Sequence, residues 1–187
     1  PVHDERSRRL ACLMETPPLV LRAQELAASL GFEKSCRRAD GALLHVLAAR
    51  RGITRAAEIG TGAGVGAAWI VSALRPETPF FSAELDPVLA ERAAEIFAAD
   101  PNVTILAGPW REVLAPEAPF DLLFVDGGKA KDDVDSAVGL LAPGGTAVLD
   151  DFWFDPTLPD RRRDAWLDHP LLTTIELWVT RERRALV

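Results

Sequence analysis

The chain has 187 residues, enough for one full-sized domain and too few for two ordinary ones. Apolar residues make up 48% and charged residues 26%, and every apolar run breaks well before the ~18 residues of a membrane span, the pattern of a soluble globular protein. A formal charge of −7, from 21 Lys and Arg against 28 Asp and Glu, argues against a nucleic-acid partner.

The N-terminal residues are polar and carry no basic-then-apolar leader pattern, so residues 1–18 are expected to be peripheral and the location cytoplasmic. Cys12 and Cys36 make no C-x-x-C pair and are expected to be plain thiols. Helical periodicity runs from Leu19 to Leu30, ended by Gly31, and from Ala39 to Arg51, ended by Gly52. These are the N-terminal helices of residues 19–52. Short apolar strands then alternate with helices through a core at 53–151. The pairs are Ala56 to Ile59 with Val65 to Leu74, Phe80 to Leu85 with Val88 to Ala99, Val103 to Leu106 with a short turn, and Asp121 to Val125 with Val134 to Leu141. Thr146 to Leu149 closes the series. Near-continuous apolar strands between helices predict a doubly wound α/β fold, a mostly parallel seven-stranded sheet with helices on both faces. Residues 152–187 break the rhythm. They hold an amphipathic piece at Arg161 to Leu167 and strand-like runs at Leu172 to Thr180 and Arg184 to Val187, expected as an antiparallel hairpin at the sheet edge.

In such sheets ligands bind beyond the carboxyl ends of the strands. The first end, "EIGTGAGVG", places glycines at 60, 62, 64 and 66 before a helix, a turn that lets backbone approach a nucleotide-bearing ligand. A tight packing turn is the plain alternative. The spacing G-x-G-x-x-A at Gly62, Gly64 and Ala67 leaves a nicotinamide dinucleotide open. Glu84 ends the second strand, where a carboxylate can accept from both ribose hydroxyls, while Asp86-Pro87 reads as a helix N-cap and first turn. Trp110 and Arg111 follow the third strand, and "VDGGK" and "LDDFW" end the fourth and fifth.

"EIGTGAGVG", "AELDP", "FDLLFVDGGK" and "LLAPGGTAVLDD", in this order, resemble the class I S-adenosylmethionine-dependent methyltransferases, and among them the metal-dependent O-methyltransferases related to catechol and caffeoyl-coenzyme A methyltransferases. The resemblance covers about Ser35 to Asp151. It implies that Glu58, Gly60, Gly62 and Gly64 line the methionine end of the cofactor, with the Ser35-Cys36 backbone at its carboxylate. Glu84 and Leu85 would hold the ribose, and Gly108, Trp110 and Arg111 would border adenine. Asp126, Asp150 and Asp151 match the metal ligands, Asp126 also facing the cofactor, and Lys129 matches the catalytic lysine. The family is often dimeric.

The residue chemistry points the same way. Asp126 and the Asp150-Asp151 pair end two neighbouring strands, and like charges so close need a cation such as Mg²⁺ between them. A metal there, with Asp126 among its catalytic ligands, could orient adjacent acceptor oxygens and lower the pKa of one hydroxyl, with Lys129 accepting the proton. Two departures stand out: Asp151 replaces the family's usual Asn, and Gly127 and Gly128 replace larger residues, which would open the acceptor floor. His3, His45 and His169 have no partner at metal spacing and read as structural. Asp132 and Asp133 read as helix-start charges, and the Arg161 to Arg163 and Arg181 to Arg184 clusters as solvated faces. Trp166 and Trp178 read as packing, whereas Phe152, Trp153 and Phe154 could equally wall an aromatic pocket or cover the sheet. The expected activity is metal-assisted O-methylation of a small, catechol-like acceptor by S-adenosylmethionine, with no nucleic acid or membrane partner. An NAD-dependent oxidoreductase and a non-catalytic S-adenosylmethionine-binding protein are the alternatives.

Overall fold

The computed structural model describes residues 15–127, 129–153, 159–180 and 183–187, the side chains of Trp153 and Arg183 excepted. His3, Cys12, Gly128, Phe154 and Arg181 therefore lie outside the described residues.

Two helices lead in. Pro18 opens α1 (Pro18–Ser29) at a position where its missing N–H costs nothing, and Leu19, Val20, Ala23, Leu26 and Ala27 form its buried face. The second helix, α2 (Arg38–Ala48), stops short of the expected Arg51, and the chain turns through Gly52 at φ +95°. It lies flush on the following helix because Gly41 has no side chain: a Cβ there would stand 2.2 Å from Trp69 Nε1.

The alternating core follows as β1 (Ala56–Ile59), α3 (Val65–Val71), β2 (Phe80–Glu84), α4 (Pro87–Ile96), β3 (Val103–Ala107), α5 (Trp110–Val113) and β4 (Phe120–Val125). Next come α6 (Val134–Val138), β5 (Leu141–Trp153), α7 (Arg161–Leu167), β6 (Glu176–Trp178) and β7 (Arg183–Leu186). The seven strands form one sheet in the order β3-β2-β1-β4-β5-β7-β6, parallel from β3 to β5, with β7 antiparallel to both β5 and β6. The expected hairpin exists, but its second strand inserts beside β5 and leaves β6 as the edge. β5 also begins earlier than expected, at Leu141, and α6 is correspondingly shorter.

The strand period of two builds both halves of the core. On β4, Leu122 and Phe124 join the cluster of Leu44, Trp69 and Ile70, while Leu123 and Val125 join the cluster of Ile59, Leu114 and Trp166 on the other face. That two-sided burial is why β4 reads as an unbroken apolar run. Strand order reverses between β1 and β4, which opens a crevice at their carboxyl ends. Among the described residues no helix is long and apolar enough to cross a membrane.

Candidate active site

The strand tips open into a cleft of 640 Å³, inside the roughly 300–1,000 Å³ typical of small-molecule sites. The loop before α2 contributes Phe32, Ser35 and Arg37, and β1 and β2 contribute Gly60, Gly62 and Glu84. Asp126, Lys131, Asp150, Asp151 and Phe152 come from β4, β5 and the turn between β4 and α6. Phe152 answers both sequence alternatives, since it lines the cleft and is buried in the core at 3% exposure.

The glycine turn is fixed by backbone contacts. Gly60 sits at φ +97°, its N–H donating to Ala83 O at 2.9 Å, and a Cβ there would lie 2.7 Å from Gly127 N. Gly127 itself donates to Ile59 O at 2.6 Å. The tips of β1 and β4 thus touch through two residues without side chains, and Gly127 both makes this contact and lines the cleft. Glu84 is held from both sides: Gly62 N–H donates to its Oε2 at 2.8 Å and Asp86 N–H to its Oε1 at 3.0 Å. Asp86 in turn caps α4 through Val88 and Leu89, as its sequence position implies.

The acidic cluster is real in space. Asp126, Asp150 and Asp151 each offer an oxygen, all within 4.8 Å of one another. Consecutive strand residues normally face opposite sides, yet Asp150 and Asp151 converge. The register slips between Leu149 and Phe152, and Asp151 takes φ +62°, a left-handed conformation that aspartate tolerates better than most residues. This bulge brings both carboxylates to the same place.

A lysine that the sequence reading passed over completes the cluster. Lys131 Nζ donates to Asp150 Oδ1 at 2.7 Å and to Asp150 O at 2.9 Å, and it lies 4.0 Å from Asp126 Oδ1. Its side chain is only 5% exposed. The segment Ala130–Asp132 is a 3-10 turn rather than the start of an α-helix, and Trp166 Nε1 donates to Lys131 O at 2.9 Å, fixing the turn. Lys129, the lysine expected in the site, is exposed, precedes this turn and does not line the cleft.

Burial and the neighbouring Asp150 push the Asp126 carboxyl up to about 8, against an ordinary 3.8, and Lys131 only partly offsets them. The folded chain therefore keeps this proton where the unfolded chain has lost it. The stability it brings is complete below 3.8 and is lost as pH rises through about 8. Asp126→Asn, which cannot ionise, should raise the thermal midpoint over wild type by more at pH 8 than at pH 5. A gain that does not grow with pH would show that Asp126 ionises freely in the fold.

Whether a divalent metal fits can be judged from the same contacts. Three carboxylates suit a hard cation by chemistry. The seat already contains one, because Lys131 bonds both Asp150 Oδ1 and the Asp150 carbonyl. An ion at ~2.1 Å from Asp150 Oδ1 would lie within about 5 Å of the ammonium and would have to take the oxygen that Lys131 already holds at 2.7 Å. With Lys131 in place the residues fit an ammonium and do not fit a divalent ion beside it.

The remaining sequence candidates scatter. Ser35 lines the cleft, and its buried Oγ has no hydrogen-bond partner among the described residues. Cys36 is buried behind it, and burial raises its thiol pKa, followed by the negative charge of Asp150. Glu58 does not line the cleft. It is fully buried beneath the glycine turn, where Ser82 Oγ donates to its Oε2 at 2.6 Å, and desolvation holds its carboxyl well above the ordinary range. Thr61 and Ser82 hydroxyls lie 2.6 Å apart beside it, and its Oε1 is buried without a hydrogen-bond partner among the described residues. Gly64 is buried at φ +83° as the residue before α3 and, like Glu58, stays out of the cleft lining.

The structure does not bring Leu85, Gly108, Trp110 or Arg111 to the cleft lining. Leu85 is 71% exposed, Gly108 N–H donates to Glu84 O at 2.8 Å, and Arg111 pairs with Asp133 while stacking 4.7 Å over the Trp110 ring. Asp132 pairs with Arg162, so it is more than a helix-start charge, and Asp133 caps α6. Arg163 pairs with Glu176. His45 Nδ1 lies 3.2 Å from Trp69 O and His169 Nε2 3.1 Å from Asp135 Oδ1, structural roles in both cases. Trp166 is core, and Trp178 is exposed beneath the Arg184 guanidinium.

Known proteins agree with this architecture. Residues 57–152 match the family described as a methyltransferase domain. A Mycolicibacterium vanbaalenii protein assigned provisionally as an O-methyltransferase is 33% identical over 139 residues, covering 70% of this chain and 61% of that protein. The chain thus spans about three fifths of the length of the curated relatives it matches. The O-methyltransferase TomG of Streptomyces achromogenes, involved in tomaymycin synthesis and solved in complex with S-adenosylmethionine, superposes with a TM-score of 0.73 at 26% identity, over 94% of this chain and 91% of that one. A Bacillus cereus O-methyltransferase, solved with S-adenosylhomocysteine, has a TM-score of 0.77 at 18% identity over 94% and 92% of the two chains, a likeness of fold. The chain belongs to the methyltransferase-domain family, on the Rossmann-like fold of the class I S-adenosylmethionine-dependent methyltransferases.

Proposed function

We propose that this chain transfers the methyl group of S-adenosylmethionine to a hydroxyl oxygen of a small aromatic acceptor. The observation that carries the proposal is Glu84, fixed by Gly62 and Asp86 N–H groups on one side of a cleft whose other side is the acidic cluster. Each Glu84 oxygen keeps a lone pair for a ribose hydroxyl. The Ser35 hydroxyl is available to the amino-acid end of the cofactor. Even with Asp126 protonated, the Asp150 and Asp151 carboxylates against one ammonium leave the cluster formally negative, which favours the positive sulfonium. Phe32 and Phe152 supply apolar walls for an acceptor ring. Relatives assigned as O-methyltransferases support the choice of oxygen as the receiving atom.

S-adenosylmethionine, held by Glu84 and Ser35, would supply its methyl group to the acceptor oxygen, the carbon–sulfur bond breaking to leave the neutral thioether of S-adenosylhomocysteine. The hydroxyl proton passes to Asp126, whose ionisation the adjacent sulfonium favours. Holding the two reactants in line supplies most of the rate gain. Metal assistance is left out of this scheme because Lys131 occupies the carboxylate seat. The homodimer implied by resemblance is a separate proposal, which light scattering decides.

Methyl transfer from labelled S-adenosylmethionine to phenols and catechols tests the proposal. Asp126→Ala should lower turnover by on the order of 10²-fold, the usual contribution of a positioned base, with cofactor affinity changed only a few fold. S-adenosylhomocysteine binding without transfer to any hydroxyl would instead mark a non-catalytic binding protein.

A further inference from the structure

We propose that Lys131 is the permanent cation of the Asp126, Asp150 and Asp151 cluster, so that methyl transfer at this site needs no divalent metal and accepts a lone hydroxyl as well as a vicinal pair. The inference rests on the methyltransferase assignment of the cleft.

The ammonium is placed where the carboxylates converge. It makes two hydrogen bonds to Asp150, at 2.7 and 2.9 Å, and faces Asp126 Oδ1 at 4.0 Å. Both members of the Lys131–Asp150 pair are almost fully buried, at 5% and 4% side-chain exposure. A buried lysine with such partners has no easy alternative position, because leaving would strand the charge of Asp150 in the protein interior. Its backbone is equally constrained: Trp166, itself 1% exposed, bonds to its carbonyl, and the next residue, Asp132, is held outside by Arg162. The charges have the same sense: Asp151 brings a further carboxylate to within 4.8 Å of Asp126 and Asp150, and Lys131 sets a positive charge against the cluster.

The consequence for substrate class is chemical. A metal that activates an acceptor selects compounds with two adjacent oxygens able to chelate it, whereas an ammonium already bonded to protein imposes no such demand. Acceptors with a single phenolic hydroxyl then fall within the site's range.

Titration with Mn²⁺, followed by the loss of its free electron-paramagnetic-resonance signal, tests the inference on the intact chain. Wild-type protein should leave Mn²⁺ free up to millimolar concentrations, and EDTA should change neither S-adenosylhomocysteine affinity nor the rate with phenol. Lys131→Met should unmask Mn²⁺ binding, and Lys131→Arg, which keeps the charge, should not. Should Lys131→Met fail to fold, wild type and Lys131→Arg decide the matter alone. Mn²⁺ binding by wild type that Asp150→Asn abolishes, or phenol methylation lost in EDTA, would overturn the proposal. Failure of S-adenosylhomocysteine to bind would overturn the methyltransferase assignment instead, and the Mn²⁺ titration would still give its own answer.

Discussion

Glu84→Ala should weaken S-adenosylhomocysteine binding by on the order of 10²-fold, through the loss of two charge-assisted hydrogen bonds to the ribose. The carboxylate is prepared for this task before any ligand arrives. Gly62 and Asp86 N–H groups hold one oxygen each, so little side-chain freedom is lost on binding. Glu84 is partly exposed at the tip of β2, and its removal leaves two backbone donors that water can satisfy in the open cleft. The fold should therefore survive with a small change in thermal midpoint. Glu84→Gln separates charge from shape: it should recover part of the affinity, since the amide keeps one acceptor oxygen. Calorimetry that found Glu84→Ala within twofold of wild type would remove Glu84 from the ribose site.

Gly60→Ala should be the more damaging substitution, lowering both stability and cofactor binding. The residue sits at φ +97°, a conformation that costs an L-residue roughly 1–2 kcal/mol. Space is the larger difficulty. The new Cβ would lie 2.7 Å from Gly127 N and 2.9 Å from Gly127 Cα, backbone atoms that cannot rotate away as a side chain would. Relief requires β1 and β4 to separate at their tips, where Asp126 and Gly127 N–H groups both donate to Ile59 O. A destabilisation of about 3 kcal/mol is expected from strain and overpacking together. Because the displaced atoms carry Asp126, turnover should fall further than stability alone implies. Chemical denaturation and S-adenosylhomocysteine titration of the same variant measure the two effects, and an unchanged midpoint would contradict the close contact.

The contrast between what the sequence exposed and what it concealed follows from the range of the forces involved. The central strands β1 and β4 are legible because burial on both faces makes each a largely apolar run, which needs no tertiary knowledge; β2 and the half-exposed edge strand β3 are legible from their β-branched and aromatic residues between turns. The glycine turn, Glu84 and the Asp86 cap are legible for a similar reason: each is a local backbone requirement expressed within a few residues. Lys131 is not. Two lysines stand two positions apart, and which of them enters the site depends on a 3-10 turn anchored by Trp166, thirty-five residues away. Asp151 is half legible, since its chemistry is evident but its convergence with Asp150 needs a bulge whose register is set by β7. Glu58 shows the opposite case. Its position beside the glycine turn suggested ligand contact, and strand alternation turns its side chain inward, where Oε2 accepts from Ser82 and Oε1 has no partner among the described residues. The β7 insertion between β5 and β6 likewise depends on pairing across the sheet, and period-two patterning alone does not order the strands.

The ligand held at the glycine turn and Glu84 separates methyl transfer from nicotinamide chemistry. Isothermal titration of the chain with S-adenosylhomocysteine and, separately, with NADH tests this most directly. S-adenosylhomocysteine should bind with micromolar or tighter affinity in the presence of EDTA, and NADH should give no saturable heat. Saturable binding of NADH with none of S-adenosylhomocysteine would contradict the methyltransferase account.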